Sequence, residues 1–215
     1  MLTKYTQYIV NKILFSKFFS DLQEAPWYRQ FLNPVIDEIK NGSNLLDIGT
    51  GSGKMLEILF NEKNVYSAGT DTNKDMLKEA EEKLRNTSAK LHLIPAGEKL
   101  PFEKGSFDYV TVCSVLFHLK EKEIDHLLMG SLQVLKDAGR LIVLTPTGKG
   151  NMIKLSKNFF SLKNKSIFIW YRATKKRALI WSMNQYLKQF AANNKLKYKS
   201  QIVMHGFAQL EIISK

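Results

Sequence analysis

Three closely spaced glycines after a short apolar segment constrain this sequence more than any other feature. The segment Asn44–Ile48 is predicted to be a buried strand, and Gly49, Gly51 and Gly53 follow it at once. Apolar residues at helical spacing over Ser52–Phe60 then predict a helix. Glycines at such a junction let the backbone turn sharply and approach a ligand closely, with the N-terminus of the helix beyond them. The sequence therefore predicts a ligand-binding loop at this junction.

Two common nucleotide-binding loops do not fit the spacing of these glycines. The dinucleotide pattern G-x-G-x-x-G, counted from Gly49, needs its third glycine at the position that Lys54 occupies. The phosphate-binding pattern G-x-x-x-x-G-K-[ST] needs four residues between its glycines, whereas three separate Gly49 from Gly53. It also needs Ser or Thr after the lysine, where this chain has Met55. Both patterns are therefore excluded.

Strands and helices alternate along most of the chain, which predicts an α/β fold with a mostly parallel sheet covered by helices on both faces. After the first strand, further strands are predicted at Val65–Thr70, Ala89–Ile94, Phe107–Cys113 and Arg140–Thr145. Helices are predicted at Asn73–Arg85, Lys122–Leu135 and Ser182–Ala192. Two closing strands, Lys197–Met204 and Phe207–Ser214, are close enough to form a hairpin. A length of 215 residues suits one domain over 1–215.

The charge of the chain is concentrated in its last third. Between Ala138 and Leu210 there are 14 Lys or Arg residues and no Asp or Glu, whereas the remainder holds 18 basic and 20 acidic residues. This segment therefore produces the whole net charge of +12. Two interpretations stay open: a solvated basic face, or a surface that attracts anionic lipid, nucleic acid or an acidic partner.

The pattern Asp-x-Gly-x-Gly-x-Gly from Asp47 to Gly53 resembles the first motif of the class I S-adenosylmethionine-dependent methyltransferases. The runs Glu98–Phe102, Gly105–Asp108 and Leu135–Leu141 are similar to the ubiquinone/menaquinone-biosynthesis-like branch, methyltransferase type 11. The resemblance covers residues 40–145 and 182–215. It implies a Rossmann-like, doubly wound sheet of seven strands, mostly parallel with a C-terminal antiparallel hairpin. It also implies S-adenosyl-L-methionine as cofactor, and methyl transfer requires no metal.

The resemblance also assigns roles to residues of the loop and of the neighbouring strand ends. In the family the glycines hold the methionine part of the cofactor, and the acid at the position of Asp47 contacts its amino group. Asp71 follows the second strand, where the family places an acid whose two oxygens accept the ribose hydroxyls; the alternative role of Asp71 is a helix N-cap. Ala96 stands where relatives often carry an Asp that contacts adenine, so Gly97 or Glu98 is expected to replace that contact. The predicted cofactor-binding residues are Asp47, Gly49, Thr50, Gly51, Gly53, Asp71, Thr72, Gly97, Glu98 and Cys113.

His118 is the predicted catalytic residue. It lies just past the fourth strand, at the edge of the sheet where open α/β folds bind ligands. A neutral imidazole there can deprotonate a hydroxyl or an acidic carbon, and the alternative is that it only shapes the pocket. Cys113 is the single cysteine, so an intrachain disulfide and a Cys-cluster metal site are excluded. This thiol is expected to be a small buried residue of the strand and not a nucleophile.

Two segments outside the common core are expected to select the acceptor. Residues 1–40 are rich in aromatic side chains and are predicted to form an N-terminal helical lid. Residues 147–180 are predicted to form a basic helical insertion that caps the substrate. Within the insertion, a helical face is predicted to carry Met152, Leu155, Phe159 and Leu162. This face either packs on the core as a lid or meets the surface of an anionic membrane.

The sequence as a whole predicts methyl transfer to a small acceptor, including a lipophilic one such as a quinone precursor or a lipid. Alternatives are an RNA methyltransferase that uses the basic third of the chain, disfavoured because no RNA-binding appendage is recognised, and a non-catalytic cofactor-binding protein. No apolar stretch approaches the ~20 residues that span a bilayer, and no signal peptide is recognised. We therefore expect a cytoplasmic protein, with peripheral contact to the inner membrane face if the insertion binds lipid. The oligomeric state is left open.

Overall fold

The computed structural model describes Lys17 and residues 19–215, and over these residues the chain forms a seven-stranded sheet. The strands are β1 (Asn44–Ile48), β2 (Tyr66–Asp71), β3 (Lys90–Leu93), β4 (Phe107–Cys113), β5 (Leu135–Pro146), β6 (Lys197–Val203) and β7 (Ala208–Ser214). Their order is β3-β2-β1-β4-β5-β7-β6. The first five strands are parallel, and β7 runs antiparallel to both β5 and β6. The predicted fold class, a mostly parallel seven-stranded sheet with a C-terminal antiparallel hairpin, is confirmed.

Helices cover both faces of this sheet. They are α1 (Pro26–Glu38), α2 (Lys54–Lys63), α3 (Lys74–Leu84), α4 (Glu121–Val134), α5 (Met152–Phe159), α6 (Ser166–Asn184) and α7 (Tyr186–Asn193). Residues 19–24 are also helical and precede α1. Short 3-10 turns occur at Leu116–His118, Leu162–Asn164 and Met204–Gly206. Among the described residues no helix is long and apolar enough to cross a membrane.

The core consists of two apolar clusters, one on each face of the sheet. Side chains alternate across a strand, so the neighbours Leu45 and Leu46 of β1 belong to different clusters, and both are fully buried. One cluster packs the sheet against α1, α2, α5 and the first half of α6. The other packs it against α4, α7 and the end of α6. This doubly covered arrangement fixes the carboxyl ends of the parallel strands along one edge.

The predicted fifth strand was wrong at its beginning. The sequence indicated a helix up to Leu135 and a strand from Arg140, whereas α4 ends at Val134 and β5 begins at Leu135. Leu135 pairs with Phe107, and the register shifts before Arg140 pairs with Tyr109. The irregularity accommodates the extra residues between Leu135 and Arg140. These residues lack the apolar–polar alternation by which a strand is recognised from sequence.

The predicted helix Ser182–Ala192 was also wrong, because α6 and α7 divide it. Gln185, between them, has a left-handed backbone with φ of +48°. Trp181 before the break and Leu187 after it are both buried in the same cluster. Packing of both flanking helices on the core therefore overrides the continuous helical periodicity of the sequence.

The four residues predicted to share one helical face of the insertion do not share it in the structure. Leu155 and Phe159 of α5 are buried in the core, as in the lid alternative. Met152 and Leu162 are exposed instead. The reason is that α5 ends at Phe159, so Leu162 lies in a separate 3-10 turn and no longer shares the face of the helix.

Candidate functional site

A cleft of about 650 Å³ lies at the carboxyl edge of the sheet, where β1, β2 and β4 end. It spans the point at which the strand order reverses between β1 and β4, the usual ligand site of open α/β sheets. The helical residues 19–24 together with α1, α4 and α6 supply its remaining walls. The predicted site residues that line it are Gly49, Gly51, Asp71, Thr72, Gly97, Glu98, Cys113 and His118.

Asp71 ties the glycine loop to the end of β2. The backbone N–H of Gly51 donates to Oδ2 of Asp71 over 2.9 Å, and the backbone N–H of Asn73 donates to Oδ1 over 2.8 Å. Each carboxylate oxygen can accept a further hydrogen bond. The alternative N-cap role falls to Asn73, whose side chain accepts the N–H of Asp75 over 2.9 Å at the start of α3. Asp71 is thus left at the cleft wall with acceptor capacity that a ligand can use.

Gly49 brings the loop against the turn that follows β4. Its φ is +78°, a left-handed conformation that other residues rarely adopt, and a Cβ at this position would overlap the side chain of Val115. The N–H groups of Gly49 and Thr50 both donate to the carbonyl oxygen of Thr70, over 2.8 and 2.9 Å. The loop is therefore held from two sides before any ligand is bound.

Asp47 lies beneath the glycine loop and not in the cleft wall. Its side chain is 3% exposed and accepts the hydroxyl of Thr111 over 2.8 Å. Burial raises the pKa of Asp47 to about 6, although the hydrogen bond from Thr111 opposes the rise, and the charge of Asp71 adds to it. No ion pair among the described residues involves Asp47. A positively charged group bound above the loop would therefore stabilise its ionised form.

A polar cluster fastens the N-terminal helical residues over the glycine loop. The side-chain oxygen of Gln23 accepts the backbone N–H of Ser52 over 3.0 Å and the Ser52 hydroxyl over 2.5 Å. Glu24 accepts hydrogen bonds from the ammonium groups of Lys54 and Lys83. Burial opposes ionisation of Glu24, but these two lysines outweigh it and lower its pKa. Gln23 thus covers one end of the cleft.

His118 lines the cleft just past β4, and Leu119, Leu127 and Trp170 from α6 add apolar surface to the same lining. Nδ1 of His118 lies 3.1 Å from a guanidinium nitrogen of Arg177, which is also in α6. Burial, together with the nearby charge of Arg177, lowers the pKa of His118, so the imidazole is neutral at neutral pH. The insertion thereby reaches the site through two side chains.

Cys113 lines the cleft as a protonated thiol. Burial raises its pKa well above the ordinary value, and the charge of Asp47 raises it further. A thiolate is the nucleophilic form of cysteine, so this side chain is not activated for attack. Within the described part of the chain, no group of His, Cys, Asp and Glu residues is placed to hold a metal ion.

Residues 46–143 match the family model described as a methyltransferase domain. The chain carries a methyltransferase domain. The matched range runs from β1 into β5, so it contains the glycine loop, Asp71 and His118. The resemblance inferred from the sequence motifs is confirmed.

Curated relatives of this methyltransferase domain are ubiquinone/menaquinone biosynthesis C-methyltransferases UbiE. That of Vibrio parahaemolyticus is 34% identical over 134 residues, covering 58% of this chain and 50% of the relative. That of Rickettsia typhi is 31% identical over 153 residues, covering 64% and 60%. The chain therefore spans between half and three fifths of the length of these relatives.

Solved structures share the fold across nearly the whole chain. A putative S-adenosyl-L-methionine-dependent methyltransferase from Methanococcus maripaludis superposes with a TM-score of 0.72 at 14% identity, covering 93% of this chain and 91% of that one. At this identity the likeness establishes the fold of the methyltransferase domain alone.

Three of the predicted cofactor residues lie behind the cleft lining: Asp47, Thr50 and Gly53. A Cβ on Gly53 would lie 2.8 Å from Leu84 of α3, so this glycine lets the methyltransferase domain pack α3 against the start of α2. Sequence reasoning missed Gln23 and Arg177, which belong to no motif. Their roles follow from tertiary contacts that the sequence does not reveal.

Proposed function

We propose that this protein transfers a methyl group from S-adenosylmethionine to a small lipophilic acceptor of the quinone-precursor type. The observation that carries the proposal is the cleft whose lining contains the glycine loop and Asp71 together with His118 and large apolar side chains such as Trp170. Methyl transfer from a sulfonium is an in-line displacement, so a donor and an acceptor held in one cavity gain most of what catalysis needs. The family match of residues 46–143 supports the cofactor.

The polar end of the cleft is assigned to S-adenosylmethionine. The free acceptor capacity of Asp71 suits the two ribose hydroxyls, since a carboxylate can accept both protons. The buried charge of Asp47 suits the ammonium group, which would lie above the loop and favour the ionised carboxylate. Gly97 and Glu98 line the cleft where the absence of an acid at Ala96 leaves the adenine contact to neighbouring groups. When bound, the cofactor supplies the activated methyl group.

The acceptor is assigned to the part of the cleft beside His118. Leu119, Leu127 and Trp170 in the cleft lining favour a ligand with little charge. The relatives of this chain that are named as ubiquinone/menaquinone biosynthesis C-methyltransferases support an aromatic ring of that class. The cleft lining beside His118 offers no feature that is specific to a nucleic acid.

The contact between Arg177 and His118 determines what the imidazole can do. A guanidinium group only donates hydrogen bonds, so Nδ1 of His118 must accept. The neutral ring then carries its proton on Nε2 and offers this N–H to the cleft. In this state His118 orients an oxygen of the acceptor as a hydrogen-bond donor. Acting as a general base through Nε2 would first require loss of the Arg177 contact and a change of tautomer.

The test is methyl transfer from labelled S-adenosylmethionine to a series of phenols and hydroquinones of increasing alkyl length. We expect transfer that improves with chain length and product that carries the label on the ring. His118→Ala should lower turnover and leave the affinity for S-adenosylhomocysteine nearly unchanged, because His118 lies at the acceptor end. Folded protein that binds neither S-adenosylmethionine nor S-adenosylhomocysteine in calorimetry would contradict the proposal.

A second arm of this test separates donation from base catalysis. Arg177→Met should leave the acid limb of the pH–rate profile in place, because the imidazolium that forms at low pH still donates through Nε2–H. A general base at His118 would instead show an acid limb that moves to higher pH once the positive charge that lowers the pKa of His118 is removed. Arg172→Met is the matched control, since Arg172 is an exposed arginine of the same helix and should leave the profile unchanged. An acid limb that moves to higher pH in Arg177→Met but not in Arg172→Met would contradict donation and assign His118 as a general base.

A further inference from the structure

The α5–α6 segment exposes large apolar side chains on its outer side. Phe160 is 83% exposed, Leu162 80% and Ile153 71%, while Met152 is 42% exposed. Met152, Ile153 and Phe160 border one shallow groove together with Phe168. We call these four, with Leu162, the apolar face of the insertion. Single exposed apolar residues are ordinary on proteins, but a contiguous set marks a surface that binds a partner or a membrane.

The inner side of α5 explains why this exposure is not a packing defect. Leu155 and Phe159 are buried in the core, and the ring of Phe159 meets that of Phe207 edge-on, with 6.1 Å between their centroids. The N-cap Asn151 accepts the N–H of Lys154 over 2.9 Å. The helix is thus anchored from within while a second apolar side faces outward.

The insertion that carries the apolar face is also strongly basic. Residues 147–180 contain nine Lys or Arg residues and no Asp or Glu, and all nine are exposed. None of the nine takes part in an ion pair within the described part of the chain. Lys157 borders the groove itself. Exposed apolar side chains among unpaired cations match an anionic bilayer, which offers both negative headgroups and an apolar interior.

We propose that the apolar face of the insertion seats the protein on an anionic lipid surface, with Phe160 and Leu162 entering the interfacial layer. Lysines and arginines would also attract nucleic acid, and a base could stack on Phe160. The aliphatic side chains of Leu162 and Ile153 offer no ring for stacking, whereas a bilayer interior accommodates them. Helix α6 connects this surface to the cleft, because its Phe168 borders the groove and its Trp170 lines the cleft. A lipophilic acceptor held in the bilayer would therefore meet the insertion before it reaches the site.

The test is co-sedimentation with vesicles of phosphatidylcholine alone and of phosphatidylcholine mixed with phosphatidylglycerol. We expect binding to the mixed vesicles, since each Lys or Arg near such a surface strengthens binding by about fivefold. Attraction by charge is screened over ~10 Å at 0.1 M salt, so added salt should weaken binding without abolishing it, because inserted apolar side chains are not screened.

The variant Phe160→Ser, Leu162→Ser isolates the apolar contribution and should weaken binding by at least about tenfold. Tyr66→Ser is the matched control, because Tyr66 is also exposed but begins β2, at the opposite edge of the sheet from the cleft. Thermal melts of both variants verify folding, which changes at exposed positions should preserve. A double variant that binds mixed vesicles as well as the wild type would overturn the assignment of this face.

A competition with single-stranded RNA distinguishes the remaining partner. Binding to RNA without binding to the mixed vesicles would overturn the membrane proposal, and so would binding to neither. None of these measurements depends on turnover, so failure to bind lipid is distinguishable from failure of the proposed methyl transfer.

Discussion

Replacing Asp47 by Asn should stabilise the folded protein at alkaline pH. The folded pKa of Asp47 is about 6, against 3.8 for an unperturbed aspartate, because burial penalises its charge. A shift of two units corresponds to about 3 kcal/mol of unfavourable free energy once the group is ionised. Asn has the same shape, carries no charge and keeps an acceptor oxygen for the hydroxyl of Thr111. The free energy of unfolding should therefore rise by ~2–3 kcal/mol.

The pH dependence of this gain follows from the sign of the shift. An acid whose folded pKa is raised binds its proton more tightly in the folded protein. The cost of Asp47 therefore begins as the pH rises through 3.8 and is complete above about 6. Below the lower value the wild type and the Asn variant should be equally stable. The difference between the two proteins isolates Asp47, because every other titrating group is common to both.

The assay is urea denaturation of both proteins across this pH range, followed by calorimetry with S-adenosylhomocysteine. The variant should lose at least about tenfold in affinity, because the charge expected to face the ligand's ammonium group is gone. A variant less stable than the wild type at alkaline pH, or a stability difference that does not vary with pH, would refute the reasoning. Unchanged affinity would remove Asp47 from the cofactor site while leaving the electrostatic argument intact.

Three further outcomes are expected. Asp71→Ala should weaken S-adenosylhomocysteine binding by roughly ten- to a hundredfold in calorimetry, since hydrogen bonds to a charged acceptor are lost; an unchanged dissociation constant would contradict this. Gly49→Ala should lower the melting temperature, because its φ of +78° is strained for alanine and the new Cβ overlaps Val115; an equal melting temperature would show that the loop relaxes. Trp170→Ala should cost ~3–5 kcal/mol in urea unfolding, because its ring packs 5.0 Å from Trp27 in the core; a loss below ~1 kcal/mol would show that the site collapses.

Much of the fold was predictable because its signals are local. The strand Phe107–Cys113 was predicted with both ends correct, since a turn precedes it and most of its residues are aromatic or β-branched. The beginning of β5 was not predictable, because the residues that follow Leu135 show no apolar alternation and the strand begins there through pairing of Leu135 with Phe107. The break at Gln185 likewise follows from how α6 and α7 pack, which no local pattern specifies.

The candidate site divides in the same way. The glycine loop and Asp71 were found from sequence because their spacing is fixed by one strand, one turn and the next strand end. Gln23 lies 29 residues from its partner Ser52, and Arg177 lies 59 residues from His118. Such pairs arise only when the chain has folded, so their chemistry is absent from any linear motif.

The described part of the predicted lid at residues 1–40 has two surroundings, because Gln23 and Tyr28 line the cleft whereas Phe31 is buried in the core. Residues 1–16 and 18 of that segment lie outside the described residues, and its role as a lid stays a prediction.

The fastening of Gln23 and Glu24 across the glycine loop has a consequence for the timing of catalysis. The hydrogen bonds from Ser52 to Gln23, and those from Lys54 and Lys83 to Glu24, join the helical residues 19–24 to the glycine loop and to the two helices behind it. We expect S-adenosylhomocysteine to leave only when these contacts open. The rate of that opening would then set how long it stays bound. Release of S-adenosylhomocysteine would then compete with methyl transfer as the slowest step of each catalytic cycle.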